Sequence, residues 1–297
     1  MNTSGVIGTG MIGNPMARAL LRAGFRLKAH DQNPKTLESV LAAGAEPVRG
    51  PADLQDAEAV VIMVNTMDQV NAVLLGKEGL VAGWGDGPKP VVVVMSTVSP
   101  EGIRELREQL DPEEIRLLDA PVSGGAILAE QGKLAIMVGG PEEDFALVRP
   151  VFEGLGDKLY HVGPLGAGMA MKLVNNMIAI TSMLIVPEAL ALGAKYGLPA
   201  DRMVDIINTS SGKTFITEHW EMHKLLLQII MQKDDPFGAR QALFTTGRKD
   251  LETAKNWASS QGFTTPVLER VIDGLSAMDA DFFAERLGEI LEQEESP

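Results

Sequence analysis

The chemistry-bearing residue that stands out is Lys172, in "GMAMKLVNNM" (168–177), where a long apolar run opens with a charge inside it. Taking an ammonium out of water costs several kcal/mol, roughly, unless something compensates it. On a helix Lys172 and Asn176 share one face a turn apart, and Gly168, one turn before the lysine, leaves room there for a ligand. Desolvation lowers a lysine's pKa toward neutrality, where the group can exchange protons with a substrate hydroxyl. The competing reading is a lysine that snorkels from a helix end while Asn175 and Asn176 pack against another domain. Two further stretches suit an anionic substrate. In "SGG" (123–125) Gly124 and Gly125 let the backbone approach an oxyanion and Ser123 adds a hydroxyl donor. In "SSGKTF" (210–215) Lys213 offers an extra anion contact on what is otherwise a loop between helices.

An alcohol being oxidised also needs a hydride acceptor. "VIGTGMIG" supplies Gly8-x-Gly10-x-x-Gly13 directly after an apolar strand and at the start of an amphipathic helix. In that context the glycines, with Met11 and Ile12 between them, permit a tight turn and close approach of a pyrophosphate to a helix N-terminus. Asp31 closes the second strand at the spacing, about 20 residues on, where an acid accepts from the ribose hydroxyls of NAD. It would repel the 2′-phosphate of NADP, although Arg26, Lys28 and Lys35 lie close enough in sequence to soften that preference. The plainer role for Asp31 is a turn former ahead of Asn33-Pro34. His219 and His223 are spaced to share a metal, but "HWEMH" lacks a His-Glu-x-x-His pattern and a third ligand, so no metal is expected.

These residues need a frame. In the first half β-rich runs at 5–8, 26–31, 59–64, 90–96, 116–121, 134–140 and 158–163 alternate with helical patterns such as 12–23, 35–43 and 100–109. Fully apolar runs such as "VVVVM" suit a parallel sheet covered on both faces, and the alternation reads as βαβ units. The expected class is α/β: an N-terminal Rossmann-type, doubly wound sheet over residues 1–163, then an all-α domain over 164–297. The second domain is entered through a long helix at 167–196 that includes Pro187. Helices follow at 200–209, 215–232, 239–261 and 265–292, and "EILEQEESP" is read as a solvated helix end and tail.

Bulk properties narrow the function. A chain of 297 residues with 45% hydrophobic residues builds a sizeable core, and its net charge of −14 argues against nucleic acid or an anionic membrane as partner. There is no cysteine, which excludes thiol chemistry and fits a reducing cytoplasm. The N-terminus has no signal-peptide pattern, and the strongest apolar run, 177–187, falls short of the about 20 residues that span a bilayer.

Five motifs in order, "GTGMIGNPMARALL" (8–21), "STVSP" (96–100), "DAPVSGG" (119–125), "GAGMAMKLVNN" (166–176) and "KDLETA" (249–254), make the chain resemble the β-hydroxyacid dehydrogenases. The resemblance covers nearly the whole chain. It implies an NAD-dependent oxidoreductase of small hydroxycarboxylic acids, assembled as a homodimer or homotetramer through the helical domain. It implies Thr97 beside the nicotinamide ribose, and Ser123, Gly124 and Gly125 on the substrate carboxylate. Lys172 would be the acid/base and Asn176 its substrate-binding companion. Lys249 and Asp250 would close the site from the helical domain, with Lys249 near the cofactor. Three departures bear on this. Asp31-Gln32 replaces the Asn-Arg of NADP-preferring relatives. "MVNTMDQV" stands where many relatives read Leu-Pro-Asn, leaving Asn65 as the cofactor contact there. Residues 223–250 depart from the usual spacing before Lys-Asp, so substrate specificity is not carried over. A non-catalytic dinucleotide-binding protein and an imine or ketone reductase are the rival readings; the first should lose the lysine, and the second should use NADP and replace it.

Overall fold

The computed structural model describes residues 3–85, 87–110, 115–231 and 239–277. Its contacts divide the chain into two compact units, Met1–Lys172 and Leu173–Pro297.

The first unit begins β1 (Thr3–Ile7), α1 (Gly13–Arg22), β2 (Arg26–His30), α2 (Pro34–Ala42), β3 (Glu46–Pro47) and β4 (Ala59–Ile62). It continues α3 (Met67–Leu75), β5 (Val91–Val94), α4 (Pro100–Gln109), β6 (Leu117–Asp119), β7 (Val122–Ser123) and α5 (Gly125–Glu130). It closes with β8 (Ala135–Gly139), α6 (Glu142–Leu155), β9 (Lys158–Gly163) and the opening turns of α7 (Ala167–Lys195). The strands form one sheet in the order β3-β2-β1-β4-β5-β6-β8-β7, with β9 also on β8. From β3 to β6 every pairing is parallel. β8 then runs antiparallel to β6 and β7 and parallel to β9. The run 3-2-1-4-5-6 is the doubly wound order, whose reversal between β1 and β4 opens a crevice at the strands' carboxyl ends.

The sequence dictates this sheet through its two-residue period. Along β5, Val91 and Val93 enter one buried cluster with Val6 and Val61, while Val92 and Val94 enter another with Ile7 and Ile62. Helices cover both faces, so both sets of side chains had to be apolar. Each β-rich run expected from sequence contains a strand. β3 and β7, two residues each, carried too little pattern to be expected.

In the second unit the described residues are helical: α7 continues, followed by α8 (Ala200–Asn208), α9 (Phe215–Glu218), α10 (Trp220–Met231), α11 (Ala239–Ser260) and α12 (Pro266–Ala277). Leu173, Ile180, Leu184, Leu190, Val204, Trp220, Leu251 and Leu268 share its core. The single helix expected over 215–232 is two. His219 leaves helical geometry at φ −113°, ψ 41°, and the Trp220 indole, buried and donating to Asp201 (2.8 Å), sets the direction in which α10 restarts. α12 occupies the first part of the expected 265–292 helix; 278–297, including the acidic end, and 232–238 lie outside the described residues. α7 is long and apolar enough, by length and composition, to cross a membrane, although its strongest apolar run, 177–187, is shorter than that. One face of it lies in the second unit's core.

Candidate active site

Parallel pairing of β1, β2, β4 and β5 sends the loops after them out from one edge of the sheet. Those loops carry Gly8–Gly13, Asp31–Gln32, Asn65 and Thr97. A side chain at Gly13 would run into the carbonyl oxygen of Gly8, and one at Gly8 into that of Met63, so these two glycines serve backbone packing. Gly10 differs: a Cβ there meets nothing within 4 Å. It faces open space, beside an α1 N-terminus with no side-chain cap and no acid in its first turn. Met11 is exposed on the same loop. Free room at Gly10 and an uncapped, positive helix end are what the phosphates of a dinucleotide require.

Asp31 braces this loop. Its Oδ2 accepts from the Thr9 N–H (2.6 Å) and hydroxyl (3.2 Å), and its Oδ1 from the Asn33 N–H (2.8 Å). The turn-former role and the ribose-facing role are therefore compatible in one carboxylate, which keeps further lone pairs. Gln32 is exposed beside it. Of the cations that could have favoured a 2′-phosphate, Arg26 is held by Glu46 through two 3.1 Å bonds and Lys28 by both oxygens of Asp56 at 2.7 Å. That hydrogen bond from Lys28 holds the Asp56 carboxyl below its ordinary range. The residues fit NAD.

Two positions unmarked by sequence reasoning organise the edge. Thr9 ties the glycine loop to Asp31 and, through its hydroxyl, to Thr36 (3.2 Å). Ser96, fully buried, accepts from the Val64 N–H at 2.8 Å, joining the end of β5 to the loop that bears Asn65. Asn65 is itself exposed, its N–H held by Gln69 (2.8 Å) at the capped start of α3. Thr97 follows Ser96 and is half-buried. A serine inside a strand-end motif was the available signal for Ser96.

Beyond β6, the backbone at Gly124 (φ +136°) and Gly125 (φ +70°) takes conformations that favour glycine, next to Ser123. Glu130 at the far end of α5 is gripped by Arg18 and by Arg22 (2.6 Å) of α1, which ties this loop's helix to the glycine-loop helix. Asp119, the last residue of β6, is fully buried, and its two oxygens accept from the N–H groups of Gly166 and Met169, 2.7 Å each, at the start of α7. Burial pushes its carboxyl upward against those hydrogen bonds. Lys172 follows on α7 and is 8% exposed. Gly168 does not leave room for a ligand, contrary to expectation. A Cβ there would strike the Met137 and Asp119 carbonyl oxygens and the Asp119 carboxylate, because α7 starts hard against the ends of β6 and β8.

Within the second unit, Asn176 and Asp250 are brought together. The Asn176 amide donates to Asp250 Oδ2 (2.7 Å), and Lys249 pairs with Asp250 Oδ1 (3.0 Å). The Asn175 amide donates to Asn176 Oδ1 (3.2 Å). Lys213 pairs with Glu218 (2.8 Å) at the surface. His219 stacks on Phe215 (4.2 Å between ring centres) and His223 meets the same ring edge-on; no group of three or more metal-ligating side chains occurs among the described residues.

A doubly wound sheet with an open glycine loop and a braced acid after β2 defines a dinucleotide-dependent oxidoreductase. Residues 3–163 match the family model for the NAD binding domain of 6-phosphogluconate dehydrogenase, and residues 166–286 that for the NAD-binding region of NADP-dependent 3-hydroxyisobutyrate dehydrogenase. A 3-hydroxyisobutyrate dehydrogenase of Pseudomonas aeruginosa is 39% identical over 69% of either chain. An NAD-dependent L-serine dehydrogenase of the same organism is 34% identical over 88% of this chain and 87% of its own. The solved 3-hydroxyisobutyrate dehydrogenase of Mycobacterium tuberculosis with L-serine superposes with a TM-score of 0.77 at 28% identity, covering 97% and 98% of the two chains. The chain belongs to the β-hydroxyacid dehydrogenase family. It is an NAD-dependent oxidoreductase acting between a small hydroxycarboxylic acid and its carbonyl form.

Proposed function

We propose that Lys172 is the general acid/base of this dehydrogenase. The observation that carries the proposal is the burial of its ammonium-bearing side chain, 8% exposed, on the turn that follows the anchored start of α7. A lysine held out of bulk solvent can serve as the proton carrier for a substrate hydroxyl. NAD⁺, when bound, accepts the hydride. Neutral Lys172 Nζ takes the hydroxyl proton during oxidation and returns it during reduction. Ser123, Gly124 and Gly125 receive the substrate carboxylate, and Asn176, held by Asp250, orients the substrate. Lys213 is a further anion contact. Gly8, Gly10, Met11, Ile12, Gly13, Asp31, Gln32, Asn65, Thr97, Lys249 and Asp250 make the cofactor contacts.

The substrates to try first are C3–C6 hydroxyacids: 3-hydroxyisobutyrate and L-serine, after the relatives already described, and L-threonate, after the Cupriavidus necator enzyme that is 35% identical over 74% of either chain. The cofactor domain is 1–163 and the helical domain 164–297. The protein works as a homodimer or homotetramer through α7, whose exposed Ile178, Ile185 and Leu192 recur every seven residues, the spacing of a helix-pairing seam. It works in the cytoplasm, a compartment that suits an NAD enzyme without cysteine.

The test assays this panel with NAD⁺ and NADP⁺ for the wild type and for Lys172→Ala. Turnover should collapse in the variant by roughly 10²- to 10⁴-fold while NADH still binds. Near-normal turnover of Lys172→Ala removes the assignment.

A further inference from the structure

We propose that Asp119 is a positioning residue for Lys172: its carboxylate fixes the height and rotation of the lysine-bearing turn relative to the strand end that leads into Ser123–Gly125. This rests on the reading of Lys172 as the acid/base.

Asp119 is the last residue of β6 and is 0% exposed. A charge there is costly to bury, yet both oxygens are spent on the backbone of a segment far along the chain. One takes the N–H of Gly166, immediately before α7; the other takes the N–H of Met169, in its first turn. The first N–H groups of a helix have no partner within it, and a carboxylate at that end is favoured by the helix dipole. One such bond would leave the helix free to turn about it. Two, from residues three apart, fix axial position and rotation together.

The neighbours are cut to fit the grip. Asp119 pairs with Gly139 across the antiparallel β6–β8 contact, and a Cβ on Gly139 would collide with Asp119 Oδ1. A Cβ on Gly168 would enter the space next to Asp119 Oδ2. Neither glycine takes a left-handed conformation, so it is closeness, not backbone freedom, that excludes a side chain at either position. From Met169 to Lys172 is less than one helical turn, a rise of about 4.5 Å, with no loop between them to absorb an error. Asp119 therefore links the "DAPVSGG" and "GAGMAMKLVNN" motifs mechanically: one supplies the carboxylate, the other the turn it holds.

The test uses two substitutions on opposite sides of the same contact. Asp119→Asn keeps the shape but turns an NH₂ toward one backbone N–H. Gly168→Ala drives a methyl into the Met137 and Asp119 carbonyl oxygens as well as the Asp119 carboxylate, and so displaces the same turn from the helix side. Each should lower kcat roughly 10- to 100-fold, as a misplacement near 1 Å does. KM for the hydroxyacid and the NADH Kd, by fluorescence titration, should stay within about twofold. In the Lys172→Ala background Asp119→Asn should reduce the residual turnover no further, because both act through one group. Turnover within about twofold of wild type in both variants overturns the proposal. So does a loss that adds in full to that of Lys172→Ala, or one confined to NADH affinity. If melting curves show that Asp119→Asn does not fold, Asp119→Glu, which keeps the charge but moves both oxygens, decides by the same readouts. Undiminished turnover in Lys172→Ala removes the reading of the lysine, and this inference with it. Collapse in Lys172→Ala beside a fully active Asp119→Asn removes this inference alone.

Discussion

At the scale of the residue, the three glycines of one motif divide between two jobs, and substitution should separate them. Gly10 borders open space and Gly13 borders the carbonyl of Gly8. Gly10→Ala should fold with an unchanged melting temperature and lose NADH affinity at least about tenfold, since the methyl enters the room left for the pyrophosphate. Gly13→Ala should lose about 1–3 kcal/mol of stability through backbone collision, seen as a lowered denaturation midpoint. A melting temperature lowered equally in both variants would refute the division. Much of the proposed site is argued at this scale. The glycine spacing, Asp31, Lys172 and Asn176 each combine a residue type with a place along the chain. Thr9, Ser96 and Asp119 escaped because their significance lies in partners 22 to 50 residues away. Gly168 was misread for the same reason. A glycine's lack of a side chain announces closeness to something, and only the fold says whether that is ligand or backbone.

At the scale of the element, periodicity named the strands and most helices but not their interruptions. α9 and α10 carry a helical pattern right through His219; beside the break the Trp220 indole is tied to Asp201, a tertiary contact with no local trace. The same stretch gives the second unit a pH dependence. Burial holds the His223 imidazole below its ordinary 6.5. As pH falls past that value the unfolded chain takes up the proton before the folded one does. The stability is therefore complete above about 6.5 and declines as pH drops toward the depressed folded value. His223→Phe removes that linkage while keeping an aromatic ring. Its melting temperature should fall less than the wild type's between about pH 7 and pH 5.5. Equal falls would mean that His223 does not titrate with unfolding.

At the scale of the whole molecule, the change of period after Gly163-Pro164 led to an expected division there, whereas the contacts divide the chain after Lys172, because the opening turns of α7 are held by the end of β6. The association of chains is a different matter. Ile178, Ile185 and Leu192 are 67%, 54% and 74% exposed on a helix whose opposite face is core. Light scattering should give the wild type a multiple of 31.8 kDa. Ile185→Glu with Leu192→Glu should bring it to the single-chain mass with NADH binding kept. A wild type already at the single-chain mass would end the oligomer proposal.

α7 also limits how this chain can change in length. Its start is pinned at Met169, and Lys172 and Asn176 follow as successive steps of one screw. Surface turns such as Gly197–Pro199 can gain or lose residues and merely bulge. One residue gained between Met169 and Asn176 would turn everything after it by about 100° and lift it about 1.5 Å. In descendants of this gene, insertions should therefore accumulate in the turns and be absent from those eight positions, where reading frame and the proposed reaction geometry are the same count.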